Sequence, residues 1–441
     1  MPSGLLAVQI SLVLVLSGSA FLAGSAVLRG RFHPLNIATV VHSGFAVAPI
    51  LLEWLWGIPT YKVFTHMLTV NDSRATTLIY SAFTAAVSAT FLLIAHFDHR
   101  RCGSGRRRYV TWSEWKASQR LSRSVLWMGL LLPVLLALYA DDPSLWLTYG
   151  AVLDSASYAE SEVFANALYW STYISVLSGC GLLIRGRRNL FVHIAIFLLL
   201  IAALWLNGKR NIVVLAALLV MISLRIAGLT SKRVSYALVF GAVILFVGYS
   251  QWYQTQLRPT LSAYDTSYEM ARMDFGRDSD TRIAIFSEVE PGARPVLESR
   301  GQSVIFDLFF FVPRSVWPEK PRPYYHYITA VALKSPLILR PWGITTTVLS
   351  EAIANFGISG FVAGPLFVIA IGVFGYRPSS PFVTLLTSLI CTLFLSIHLA
   401  GFGVLWLIWC VLTVHEQWSE IRSNRRESYL SMKAAAVNDA V

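Results

Sequence analysis

Eleven predominantly apolar stretches recur along the 441 residues, near 4-28, 35-57, 76-97, 124-140, 166-184, 189-206, 212-229, 234-252, 346-376, 381-398 and 402-416. A helix rises about 1.5 Å per residue and a hydrocarbon core is roughly 30 Å thick, so about 20 such residues cross it. Helices also pair their own backbone N–H and C=O groups, which hydrocarbon cannot do for them. The pattern predicts an all-α polytopic membrane protein with about 11 transmembrane helices. Only 14% of the residues are charged and 55% are hydrophobic, whereas a soluble chain carries about 25% charged residues. A water-soluble multidomain enzyme is excluded. The first stretch contains a small-residue site, Gly18-Ser19-Ala20, but opens with no basic residue and stays apolar to Leu28, so it reads as a retained span. Cys180, Cys391 and Cys410 sit inside apolar runs and Cys102 in a basic loop, a distribution that suggests neither a disulfide framework nor a zinc site.

The net charge of +12 lies mostly in short loops, where it acts as an orientation signal rather than a nucleic-acid-binding stripe. With the N-terminus outside, the inner segments collect Arg29 and Arg31, the cluster from Arg100 to Arg123, Arg185, Arg187 and Arg188, Arg225, Lys232 and Arg233, Arg377, and the bases of the tail. The short outer loops keep only Lys62, Arg74, Lys209 and Arg210, while 141-165 carries acids and no base. Basic loops favour the cytoplasmic side, so the expected orientation has the N-terminus outside and the C-terminus inside. The expected organisation is then 1-250 for the first eight helices, 251-345 for a large extracytoplasmic loop, 346-416 for the last three helices, and 417-441 for a cytoplasmic tail. The loop holds 11 bases and 10 acids in 95 residues, and long outer segments translocate whatever their charge. Two short apolar stretches in it, Ser303 to Val312 and Tyr327 to Leu339, predict interfacial helices.

Ionisable groups near a bilayer are costly, about 2.5 to 3.5 kcal/mol at its centre, so exceptions mark candidate function. The turn Asn207-Gly208-Lys209-Arg210-Asn211 places two cations on the outer side, where they could hold an anion; snorkelling to headgroups explains them equally well. On the ninth span Thr347, Glu351 and Asn355 share one helical face, and Gly360 and Gly364 offer a small-residue face to a neighbour. Glu351 is a candidate general base; a structural hydrogen bond is the alternative. In Phe311 to Pro323 four prolines stiffen the backbone and would display Arg314, Lys320 and Arg322 for phosphate oxygens. Trp317, Tyr324, Tyr325 and Tyr327 suit either a membrane interface or sugar rings. His326 is a second candidate acid or base. His42, Glu53 and His193 are weaker candidates that packing also explains. The alternating charges of 270-300 read as a solvated, salt-bridged surface, and Asp278-Ser279-Asp280 as too few ligands for a required metal. No phosphate loop, dinucleotide fingerprint or zinc-binding helix is present.

The run from Val312 to Pro321 (VPRSVWPEKP), with Ser350 to Gly360 (SEAIANFGISG), resembles Wzy-type O-antigen polymerases, also called oligosaccharide repeat unit polymerases. The basic turn at 207-211 resembles one that precedes a mid-chain span in that family, often with Ser-Arg where this chain has Lys209-Arg210. Span number and one large late outer loop also agree. The resemblance implies a GT-C-like membrane glycosyltransferase with no cofactor. Its donor and acceptor would be oligosaccharides on undecaprenyl pyrophosphate, joined on the outer face of the bacterial cytoplasmic membrane with inversion at the anomeric carbon. A flippase and a chain-length regulator would be possible partners, besides membrane lipids. Under that reading Glu351, ahead of His326, would take the acceptor's proton. Lys209, Arg210 and Arg314 would hold the diphosphate, helped by Lys320 and Arg322, with Trp317, Tyr325 and Asn355 along the sugars. An O-antigen ligase shares the donor and leaving group. A flippase is the rival from another class, disfavoured by the absence of an internal repeat and of broken helices in matching halves.

Overall fold

The computed structural model describes residues 3–29, 31–59, 64–104, 122–146, 162–185, 189–208, 210–231, 276–312, 314–337, 343–376 and 380–418, with a few isolated positions that include Arg272. Within them the chain begins with α1 (Ser3–Leu28), α2 (Pro34–Trp56), α3 (His66–Asp72), α4 (Arg74–Ser104), α5 (Arg123–Tyr139), α6 (Glu162–Arg185), α7 (Leu190–Asn207) and α8 (Arg210–Ile226). Next come α9 (Asp278–Val289), α10 (Gln302–Leu308) and α11 (Tyr324–Ala332), then α12 (Val348–Phe356), α13 (Gly360–Phe374), α14 (Pro381–Phe394) and α15 (403–418). By length and composition alone, six stretches among the described residues could cross a membrane: Leu5–Leu28, Pro34–Trp56, Arg74–Asp98, Ala167–Arg185, Leu190–Asn207 and Val348–Phe374, the last of them interrupted at Gly357. Arg123–Tyr139, Ile212–Arg225 and Phe382–Phe394 are apolar but shorter. The described residues hold helices and no strands, and this many such stretches is consistent with a polytopic membrane protein. The expected span 234-252 lies almost wholly outside the described residues.

The bundle has two groups of helices bridged by α14. α1, α2 and α4 pack together, and α5, α7 and α8 surround or flank α6. The position of α6 follows from its sequence. Hydroxyl and small residues let neighbours approach closely: Ser175 Oγ donates to the Leu130 carbonyl at 2.9 Å, and a Cβ on Gly179 would meet Leu200 at 3.0 Å. Its apolar window is 83% buried, against 22% for the first helix, whose Leu14, Phe21 and Leu22 point outward. At one end of the bundle His33 Nε2 meets Asp98 at 3.2 Å, joining the start of α2 to α4.

The opposite end carries a folded cap with its own hydrophobic core. Met67 and Val70 of α3 pack there with Ile283 of α9, Val296, Leu297, Ala354 of α12, and Tyr324, Tyr327, Ile328 and Val331 of α11. α9 rises from inside the bundle toward this end. Thr281 lines a pocket with His42 and Thr84, well inside α2 and α4, while Glu290 accepts a hydrogen bond from Ser73 at the start of α4.

The ninth expected span, 346-376, is corrected by the structure. Its sequence is long enough for one continuous helix, yet the chain reverses at Gly357, which adopts φ 61° and ψ −133°. Residues 349 and 364 would be about 22 Å apart along a straight helix. A Cβ built on Gly364 instead lies 3.3 Å from Leu349 Cα and 3.0 Å from Ala352 Cβ, and one on Gly360 would overlap the Ala352 carbonyl. The two glycines of the small-residue face thus serve the hairpin between α12 and α13. α13 continues through the bundle until Gly372 meets Leu35 of α2, and α12 folds back into the cap.

Candidate functional site

Three clusters of polar groups meet at the cap end. The first corrects the expectation of a solvated surface at 270-300. Arg272 is fully buried: its guanidinium reaches Glu53 of α2 at 2.6 and 3.0 Å, and Asp278 at 2.8 and 2.9 Å. Arg282, one turn along α9, meets Asp278 at 3.3 Å and lies 4.6 Å from the Tyr80 ring centroid on α4. Asp280 Oδ2 instead accepts from the Thr347 amide at 2.7 Å and from Ser350 Oγ at 2.6 Å, at the start of α12. The two carboxylates of the Asp-Ser-Asp run therefore serve different partners. One pins α9 to the bundle and the other pins α12 to α9.

The second cluster lies on α12 and α10. Thr347 caps α12, accepting from the Ser350 amide at 3.2 Å, and Glu351 and Asn355 follow on the buried face that the spacing predicts. Asn355 Nδ2 donates to Ser303 Oγ of α10 at 2.8 Å and to the Glu351 carbonyl at 2.7 Å. Glu351 also has the side chains of Ser303 and Asp307 within hydrogen-bonding reach. Two acceptors remain buried without a donor, Glu351 Oε1 and Asn355 Oδ1. Asp307 escaped the sequence reading although it is the sole ionisable residue in the apolar run 303-312, the same signal that marked Glu351. Burial, then the Glu351 charge and hydrogen bond, push the Asp307 carboxyl well above the usual carboxylate range.

The third cluster is the proline-rich loop, where the structure corrects the expected display of all three bases. Lys320 is 5% exposed and turned inward, its Nζ donating to the Phe310 and Val312 carbonyls at 3.0 and 2.9 Å. Four prolines leave carbonyls without ladder partners, and the buried ammonium satisfies two of those in the loop. Arg314 does similar work: it donates to the carbonyls of Lys320 at 2.7 Å, Pro321 at 2.9 Å and Pro318 at 3.3 Å. Arg322 is half-buried, and its guanidinium has no hydrogen-bond or ion-pair partner among the described residues. Its backbone amide donates to the Tyr327 hydroxyl at 3.1 Å, which ties it to α11. Trp317 meets Phe309 edge-on at 6.0 Å.

α11 connects these clusters. Tyr324 sends its hydroxyl to the Ser350 carbonyl at 3.2 Å, beside Glu351. The Tyr325 ring lies tilted against His326, with centroids 4.1 Å apart, and against His398, beyond α14, at 4.7 Å. Burial, then the charges of Arg322 and Arg314, lower the His326 pKa from its ordinary value. His398 was missed in the sequence because it ends an apolar run. A Cβ on Gly401 would lie 3.9 Å from His398 Nε2 and 3.8 Å from the Tyr169 hydroxyl. The Tyr169 carbonyl in turn accepts from Asn207 Nδ2 at 3.4 Å. Asn207, where α7 ends, therefore belongs to the same end of the molecule. Gly208 closes α7 in the left-handed conformation at φ 67°, and Arg210 opens α8. Lys209 lies outside the described residues.

No protein-family model matches the chain, and no curated protein or solved structure matches it.

Proposed function

We propose that the chain is a membrane glycosyltransferase of the polysaccharide polymerase kind. It transfers a growing glycan from undecaprenyl pyrophosphate to a hydroxyl of the next lipid-linked unit, at the outer face of a bacterial cytoplasmic membrane. The observation that carries the reading is Arg322: a half-buried guanidinium without a described partner, on a braced loop, beside Arg314 and His326. Breaking the anomeric bond leaves charge on the diphosphate, and a fixed donor aimed at developing charge contributes about 3 to 4 kcal/mol in enzymes where it has been removed. Arg322, Arg314 and the 209-210 turn supply the field, and His326 adds a proton-dependent charge. Glu351 takes the proton of the attacking hydroxyl, with Asn355 orienting the sugar and Trp317 along it. Tyr325 is already packed between two imidazoles, so it holds His326 and His398 rather than a sugar face. The inward Lys320 supports the loop. The concentration of basic residues in loops away from the cap supports an external cap.

The reversal at Gly357 favours a second reading, a transporter of the lipid-linked unit, since interrupted helices build many transport sites. Purified protein in proteoliposomes separates the two. With lipid diphosphate-linked repeat units on both sides, longer glycans form under the enzyme reading and Arg322→Ala and Glu351→Gln abolish them. Translocation without any new glycosidic bond overturns it. Free polymer without core attachment after gene deletion assigns a ligase, and single units left on the core assign a polymerase.

A further inference from the structure

The reading of Glu351 as base leaves its carboxyl group in a difficult position: buried, with Oε1 lacking any backbone, hydroxyl or amide donor. A buried acceptor without a donor loses the hydrogen bond it would make in water. On α10 the side chains of Ser303 and Asp307 both reach Glu351, and the ionisable one is Asp307. It sits one turn beyond Ser303, which is itself fixed to α12 by the 2.8 Å bond from Asn355. Two carboxylates in contact cannot both ionise cheaply, and one retains a proton that it donates to the other.

We infer that Asp307 is the proton-holding partner of Glu351, a positioning residue that donates a hydrogen bond to the Glu351 carboxylate and keeps it as the member of the pair able to accept the sugar's proton. The proposal rests on the glycosyl transfer reading. In the step, the acceptor oxygen bonds to the anomeric carbon. The bond from that carbon to the diphosphate oxygen breaks with its electron pair left on the diphosphate, and the acceptor's proton moves to Glu351. Asp307 keeps its own proton, and Glu351 releases the new one to water before the next turnover. Burial is the first cause of Asp307's raised proton affinity, followed by the charge and hydrogen bond of Glu351.

Other charged or titratable groups around the pair have their own partners. Asp280 of α9 is bound to Ser350 and Thr347, Tyr324 of α11 donates to the Ser350 carbonyl, and Arg300, over Gly357, pairs with Glu288 at 2.8 Å. Lys320 lies 4.6 Å from the Phe306 ring centroid and donates to loop carbonyls. None of these supplies the missing donor to Glu351 Oε1.

The test is the pH–rate profile of polymerisation by the full-length protein in nanodiscs, with synthetic lipid diphosphate-linked units. Losing a hydrogen bond to a charged group, about 1.5 to 3 kcal/mol, makes Glu351 harder to ionise. Asp307→Ala therefore moves the acidic limb up by about one to two pH units, since one unit corresponds to about 1.4 kcal/mol. Asp307→Asn keeps a donor and restores the wild-type limb. An unshifted limb in Asp307→Ala, with Glu351→Gln inactive, overturns the role of Asp307 and leaves the base in place. Full activity in Glu351→Gln overturns the base itself. Should Asp307→Ala fail to fold, infrared spectra of the isosteric Asp307→Asn decide: the carbonyl band of one protonated buried acid disappears relative to wild type, and its persistence refutes the pair.

Discussion

Arg272 and Arg322 both belong to the long segment between the two groups of spans, yet their surroundings are opposite. Arg272 is sealed in with two carboxylates, Glu53 and Asp278, each within 3.0 Å of a guanidinium nitrogen. Arg322 is braced through its backbone, while its charged end has no partner among the described residues. Saturation is what a clamp needs, because a buried charge must be compensated where it stands. An open guanidinium on a stiff loop is compensated only when an anion arrives. The contrast separates the part of the cap that holds it to the bundle from the part that proposed substrates would meet.

Removing the clamp should have the largest effect. Arg272→Ala leaves Glu53 without its cation and Asp278 with Arg282 alone, and breaking such a buried pair costs about 3 to 5 kcal/mol. Thermal unfolding in detergent, followed by fluorescence, is expected to show a large loss of stability. Arg322→Ala should unfold like the wild type, within about 0.5 kcal/mol, as a residue without structural partners does. Equal destabilisation by both substitutions would erase the distinction.

The hairpin tests whether the cap's other attachment is as demanding. Any side chain on Gly360 must displace the Ala352 backbone, which has no flexible end to give way. Gly360→Ala is therefore expected to destabilise by about 1 to 3 kcal/mol, as overpacking does, and to lower activity by shifting α12 with Glu351. Gly18, with open space around its Cβ position, should accept alanine without loss. A neutral Gly360→Ala would restore the straight span that hydropathy alone suggests.

That reversal also shows where the sequence was readable. Apolar length marks helices because hydrocarbon thickness and helical rise are fixed, so 35-57 and 189-206 agree closely with Pro34–Trp56 and Leu190–Asn207. Length does not say whether a helix is continuous, and Gly357 in the run NFGIS could equally sit in a straight transmembrane helix. The face bearing Thr347, Glu351 and Asn355 was legible because three- and four-residue spacing is local. Arg272 was not: its two carboxylate partners are 219 and 6 residues away, and alternating charges look the same in sequence whether solvent or a second helix surrounds them. The inward turn of Lys320 depends on which loop carbonyls lack partners, a property of the folded loop.

The proposed anion site should bind inorganic diphosphate in an equilibrium assay on the solubilised protein. Arg322→Ala is expected to weaken binding about tenfold or more, given about 1.5 to 3 kcal/mol for a hydrogen bond to a charged group. Lys320→Met, which keeps most of an inward-facing stem, should act on loop stability more than on affinity.

The smallest effect is a slope with pH, and it sharpens the comparison because Arg272's cluster has no counterpart to it. His326 lies close enough to Arg322 and Arg314 for their charges, added to burial, to hold its pKa below the ordinary value. With no anion bound the imidazole is therefore mostly neutral at pH 7. A diphosphate brings negative charge against it, raises its proton affinity and so takes up a proton on binding. By linkage, affinity increases as pH falls toward the ordinary imidazole value of about 6.5, by no more than about tenfold per unit for a single proton. His326→Gln removes that slope, and subtracting its profile from the wild type's cancels the ligand's own titration. Arg322→Ala lifts one of the charges that depress His326, so the same slope should begin at higher pH. Identical pH profiles for the wild type and His326→Gln would detach His326 from the anion site and leave Arg322 to act alone.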